Sequence, residues 1–101
     1  MNIEISSKEY ERELNWYDCI LYCQLLTIDG KNDWRLPTKY ELNDIYNSKN
    51  DFGDLIYWSS SNHGGVDDAA WVKSFADNVP YLLDKLWVYY VRPIRTIECG
   101  Y

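Results

Sequence analysis

Apolar positions follow two different rhythms along this chain, and the change of rhythm near residue 56 sets the expected fold class. Trp16, Cys19, Ile20, Cys23 and Leu26 recur at the i, i+3, i+4, i+7 spacing of one helix face. Asn15 stands where the N-cap of that helix belongs, and Gly30 follows its expected end. A second helix is predicted after Thr38, with Leu42, Ile45 and Tyr46 on its apolar side and the polar run 47–50 closing it. From Tyr57 onward the pattern becomes strand-like. Ile56-Tyr57-Trp58-Ser59-Ser60 is β-prone, 61–68 reads as a loop, and Ala70-Trp71-Val72-Lys73-Ser74-Phe75 reads as a return strand with Trp71, Lys73 and Phe75 on one side. Asp77-Asn78 marks a turn, and Leu86 to Val91 is a third β-prone run that Arg92-Pro93-Ile94-Arg95 ends. Near the start, Ile3 and Ile5 flank Glu4 in an alternating stretch suited to an edge strand. The order predicts an α+β fold, two helices packed against a twisted antiparallel β-sheet, in a single domain spanning 1–101.

The join between the two helices carries the densest local signal. Pro37 drives Leu36 into an extended conformation and cannot continue a helix from upstream. Thr38 followed by Glu41 is a capping box, so a helix must start at that point. Asp33, Trp34 and Arg35 precede it; Trp34 is expected to fill the core and Arg35 to be held by carboxylates or carbonyls. Arg92 and Arg95 are expected to tie strand ends together, because a planar guanidinium can serve several oxygens at once. Asp33, Trp34, Arg35, Pro37, Thr38, Glu41, Arg92 and Arg95 are therefore read as structural.

Composition narrows the function more than it names it. Of 101 residues 47% are hydrophobic and 17% aromatic, with five Trp and ten Tyr, which excludes a disordered chain. The formal net charge is −6 and the ten basic residues form no run, so direct nucleic-acid binding is not expected. No apolar stretch approaches the ~20 residues of a membrane span and no signal peptide is visible, so the expected location is cytoplasmic and no membrane contact is expected. Cys19 and Cys23, one helical turn apart on an apolar face, read as reduced core residues, with Cys99 standing alone.

Candidate chemistry is thin. In the loop 61–68, Asn62, Asp67 and Asp68 offer hard oxygen ligands of the kind calcium takes, but the EPN, QPD and WND tripeptides of calcium-dependent lectins are missing, so no cofactor is expected. His63 lacks a second His or Cys nearby to build a zinc site. No Ser-His-Asp order, phosphate loop or paired carboxylates stand out, and catalysis is not expected. The aromatics stand out instead. Alternation along Leu86 to Val91 puts Trp87 and Tyr89 on one face and Tyr90 on the other, so both faces would carry aromatics, one covered by helices and the other by a partner. Asn62, His63, Asp67, Asp68, Trp71, Tyr81, Trp87 and Tyr89 are the candidate partner-binding residues.

Trp16-Tyr17-Asp18-Cys19-Ile20-Leu21-Tyr22-Cys23, Asp33-Trp34-Arg35-Leu36-Pro37-Thr38 with Glu41-Leu42, Tyr57-Trp58-Ser59-Ser60, Ala70-Trp71-Val72 with Phe75, and Tyr90-Val91-Arg92-Pro93-Ile94-Arg95 follow one another in a set order. In that order they resemble the C-terminal domain of the Legionella collagen-like adhesin and its bacterial and phage relatives, over about 16–95. The resemblance implies a C-type-lectin-like fold, shared more distantly with formylglycine-generating enzymes and phage receptor-binding variable proteins. It also implies loops that carry recognition; the adhesin relative is trimeric and binds sulfated polysaccharide. Here the acidic balance argues against polysaccharide, and the aromatic strands and acidic loops point to a protein partner, a homo-oligomer or both, in a non-catalytic binding module. Such a module suits a phage or mobile-element accessory protein that inhibits a host or defence protein. The alternative is an exported glycan-binding domain, and a formylglycine-type enzyme comes last because the chain is too short for that site.

Overall fold

The computed structural model describes residues 2–48, 52–63 and 66–97, and in it the helix starts and strand patterns take a definite order. The chain runs β1 (Ile3–Ile5), a 3-10 turn (Lys8–Tyr10), β2 (Arg12–Leu14), α1 (Trp16–Leu25), α2 (Lys39–Asn47), β3 (Ile56–His63), β4 (Val66–Ser74), β5 (Val79–Asp84), β6 (Tyr89–Val91) and β7 (Ile94–Thr96). Strands β2-β6-β3-β4-β5 form a five-stranded sheet, and β1 pairs with β7 in a separate ribbon. The fold is α+β, with one departure from a purely antiparallel sheet. β3 and β6 are parallel neighbours at Tyr57 and Tyr90. The chain leaves β3 through β4 and β5 and returns to the opposite side of β3, which is the crossover a parallel pair requires.

Successive residues of a strand face opposite sides, and β3 uses that rule to serve two cores. Trp58 joins Trp16, Cys19, Cys23, Leu36, Ala70, Val72 and Val91 beneath α1. Its neighbour Tyr57 joins Leu42, Ile45, Phe75 and Ile94 beneath α2. Each helix thus covers its own face of the sheet. Helices therefore lie on both faces of the sheet, where the sequence leads us to expect them on one.

Local chemistry explains the element ends. Asn15 Oδ1 accepts the Asp18 amide at 2.9 Å and starts α1. Gly30 does not end that helix; Leu26 turns the chain out, and Asp29 (φ 51°) and Gly30 (φ 78°) form a tight turn bridged by Ile28 and Lys31. The capping box is complete, with Thr38 Oγ1 accepting from the Glu41 amide at 3.1 Å and Glu41 Oε1 accepting from the Thr38 amide at 2.8 Å. Arg35 donates to both Glu41 carboxylate oxygens, at 2.8 and 2.9 Å, and its backbone pairs with Ile94. Arg95 holds Asp33 at 2.6 Å and Glu4 at 3.0 Å, and Trp34 is buried with its indole N–H on the Lys31 carbonyl. These residues hold the fold. Replacing Glu41 by Ala removes a cap and a half-exposed bidentate pair together, and should lower stability by about 1–2 kcal/mol in a urea titration at pH 7.

The strands differ from expectation in several places: β2 is additional, and Ile94–Thr96, within and just after the segment expected to end a strand, forms β7. The described residues of 61–68 are strand, not loop: β3 continues to His63 and β4 begins at Val66. A bulge between Trp58 and Asn62 makes room, and Ser59 Oγ donates to the Trp71 carbonyl at 2.6 Å where the ladder breaks. β5 is additional to the strands expected from the sequence, and Pro80 is tolerated in it because β5 is an edge. Leu86 to Val91 is not one strand. Asp84 accepts from the Leu86 amide through its side chain (2.8 Å) and from the Trp87 amide through its carbonyl (3.1 Å), closing a turn before β6 starts at Tyr89.

Candidate functional site

The candidate partner residues do not form one surface. Asn62 lies exposed in β3 opposite Ala70. His63 ends β3, and its side chain, like Gly64 and Gly65, falls outside the described part; so does Cys99. Asp67 and Asp68 are exposed, and their carbonyls receive Lys85 Nζ at 2.6 Å and the Lys85 amide at 2.9 Å. Among the described residues no three His, Cys, Asp or Glu gather in a way that could hold a metal ion. Trp71 lies on the α2 side beneath Lys39, and Tyr81 donates to Asp77 at 2.8 Å. Tyr89 packs edge-on against Trp58 in the core, while Trp87 sits exposed in the turn before β6. Trp87 and Tyr89 therefore share no strand face.

A different surface emerges around α1. The buried stripe Trp16, Cys19, Cys23 is matched on the outside by Tyr17, Leu21 and Leu25, spaced i, i+4, i+8 and all exposed, Leu25 at 75%. A helix apolar on both sides is normally buried on both sides. The turn Leu86-Trp87-Val88 is likewise exposed throughout, Trp87 at 53%, and meets the N-terminal end of α1 through Lys85. Lys85 fixes the turn in place. Its carbonyl accepts from the Trp16 amide at 3.0 Å, and its ammonium lies 4.1 Å from the Trp16 ring centroid and 5.8 Å from that of Tyr17. Asp18 on α1, and Asp67 and Asp68, whose carbonyls hold Lys85, are exposed and bring negative charge to these two elements. Tyr17, Leu21, Leu25, Lys85, Leu86 and Val88 were not singled out from the sequence, although the second apolar stripe of α1 was there to be read.

Burial settles the chemistry of the two helical cysteines. Both are free and buried, and desolvation pushes the Cys23 thiol from 9.0 up to about 12 and raises Cys19 as well. At pH 8 both are protonated and out of reach, so a thiol reagent should leave them unlabelled until the protein is denatured. Because the folded state holds these protons more tightly, the stability they lend is complete below about pH 8.5 and is lost as pH rises toward 12. Tyr57, raised by burial and by its hydrogen bond to Glu11, acts in the same direction. Unfolding midpoints should fall steeply above pH 9, and less steeply in Cys23→Ala.

No helix among the described residues is long and apolar enough to cross a membrane. Residues 4–95, nearly the whole chain, match the family model of the Lcl C-terminal domain. No curated protein matches the chain.

Proposed function

This chain belongs to the Lcl C-terminal domain family, and we propose that it acts as a non-catalytic, adhesin-like binding module that recognises a protein partner through the α1 band and the 85–88 turn. The observation that carries this reading is the exposure of six large apolar residues, Tyr17, Leu21, Leu25, Leu86, Trp87 and Val88, on two elements that Lys85 locks together. Contiguous apolar surface with a polar rim is the usual anatomy of a recognition site, and a central exposed Trp is its usual anchor. The acidic border calls for an apolar face edged by Lys and Arg on the partner, of the kind that nucleic-acid-handling proteins present. A second copy of this chain would bring the same acids against themselves, which favours a different protein over self-association. A host or defence protein occupied by a phage or mobile-element factor would supply such a face. The finer classification as C-type-lectin-like is part of the same proposal and rests on the ordered Trp-Arg-Leu-Pro, Trp-Ser-Ser and Arg-Pro-Ile-Arg segments.

Photo-crosslinking tests it. A photoreactive residue at Leu25 or at Trp87 should trap one and the same protein in the native host, and one at Tyr81 should not. Chelation by EDTA should leave the adduct unchanged, since the reading involves no metal. Adducts of the chain with itself, or equal trapping from Tyr81, would contradict it.

A further inference from the structure

On the opposite side of the molecule, between α2 and the β4–β5 edge, lies a groove of about 350 Å³ lined by Lys39, Asn43, Trp71, Lys73, Asn78 and Pro80, among others. This chain carries 16 acidic residues against 10 basic ones, yet no Asp or Glu is among the described residues of the wall. Lys73 is only 6% exposed. Its ammonium donates to Asn43 Oδ1 at 3.3 Å and lies 5.1 Å from the Tyr46 ring centroid, with no carboxylate among the described residues within 4 Å. Asp77 acts on it from further away, with its own oxygens taken by Ser74 and Tyr81. One long hydrogen bond and a ring contact leave two of the ammonium's three donors without a protein acceptor among the described residues.

The tryptophans point to the same groove. Trp16, Trp34 and Trp58 each donate the indole N–H to a backbone carbonyl. The indole of half-buried Trp71 makes no such bond among the described residues, and Lys39 Nζ rides 4.9 Å from its ring centroid. The walls therefore offer two ammonium groups, an indole N–H and carboxamide N–H donors, with flat apolar sides from Trp71 and Pro80. Asn43 already spends its acceptor on Lys73.

We propose that this groove binds a small planar carboxylate, its acid group on Lys73 and Asn43 and its flat body along Trp71 and Pro80. The site is separate from the protein-binding band and stands or falls independently of it. A groove of this size suits a ligand of roughly ten heavy atoms rather than a polymer. Benzoate is the probe, with benzamide as the uncharged shape match and sulfate as the bare oxyanion. In an NMR titration at constant ionic strength, the Trp71 indole N–H signal, identified by its loss in Trp71→Phe, should shift and saturate with millimolar benzoate. Benzamide should bind about tenfold more weakly and sulfate more weakly than benzoate, because each lacks one half of the match. Lys73→Met should weaken benzoate about tenfold, and if that variant does not fold, Lys39→Met should weaken it severalfold. No saturation through the millimolar range, equal binding of benzamide or sulfate, or indifference to both lysine changes would overturn the proposal.

Discussion

Trp58→Ala is expected to lower the unfolding free energy by about 4 kcal/mol, the largest effect of any single truncation in this protein. Trp58 is fully buried, donates its indole N–H to the Leu14 carbonyl at 3.2 Å, and meets Tyr89 edge-on at 5.6 Å. Truncation leaves a large cavity beneath α1 and reduces the side-chain donors on the Leu14 carbonyl to the Cys19 thiol at 3.6 Å. Domains of this size have about 5–15 kcal/mol in total, so the variant should melt roughly 20 °C lower and be partly unfolded at 37 °C. Urea titrations at a common slope read the difference. A loss below about 1.5 kcal/mol would mean that α1 does not seal this face of the sheet.

Arg92→Met should cost about 3–4 kcal/mol for a different reason. The guanidinium is 2% exposed, donates from Nε to the Ser6 carbonyl at 2.8 Å, and sits 4.8 Å from the Phe52 ring centroid. Its Nη1 is 3.6 Å from Glu11 Oε1, which also accepts from Tyr57 at 2.7 Å. Methionine fills the space but leaves the Glu11 carboxylate nearly buried without its cation. Adding Glu11→Gln should therefore restore about 2 kcal/mol, a coupling that a double-mutant cycle measures directly. Strict additivity of the two changes would show that the pair is not a unit.

What could be read from the sequence was what short-range physics decides. The capping box Thr38–Glu41, the Asn15 cap, the Cys19/Cys23 stripe and the turn at Asp77-Asn78 each depend on a few neighbouring residues, and each is present. The errors share a cause as well. Leu86 to Val91 has strand propensity throughout, but the Asp84 side chain captures the Leu86 amide and Lys85 is anchored to two distant elements, so tertiary contacts override propensity. The 61–68 segment has a loop-like composition, yet past the bulge near Ser59 β3 continues to His63 and β4 begins at Val66. The second apolar stripe of α1 is harder to place from sequence, because one stripe already suffices to make a core. Tyr17, Leu21 and Leu25 carry the same periodicity on the outside, and only the packed fold reveals that nothing among the described residues covers them.

The most direct test of the recognition surface is capture from native host lysate on immobilised protein, comparing wild type with Leu21→Glu combined with Trp87→Ala. Both side chains are about half exposed, so the variant should melt within a few degrees of wild type. One protein with a basic face should bind wild type, be released by raised salt, and lose at least a hundredfold in affinity for the double variant. Undiminished capture by a folded double variant would contradict it.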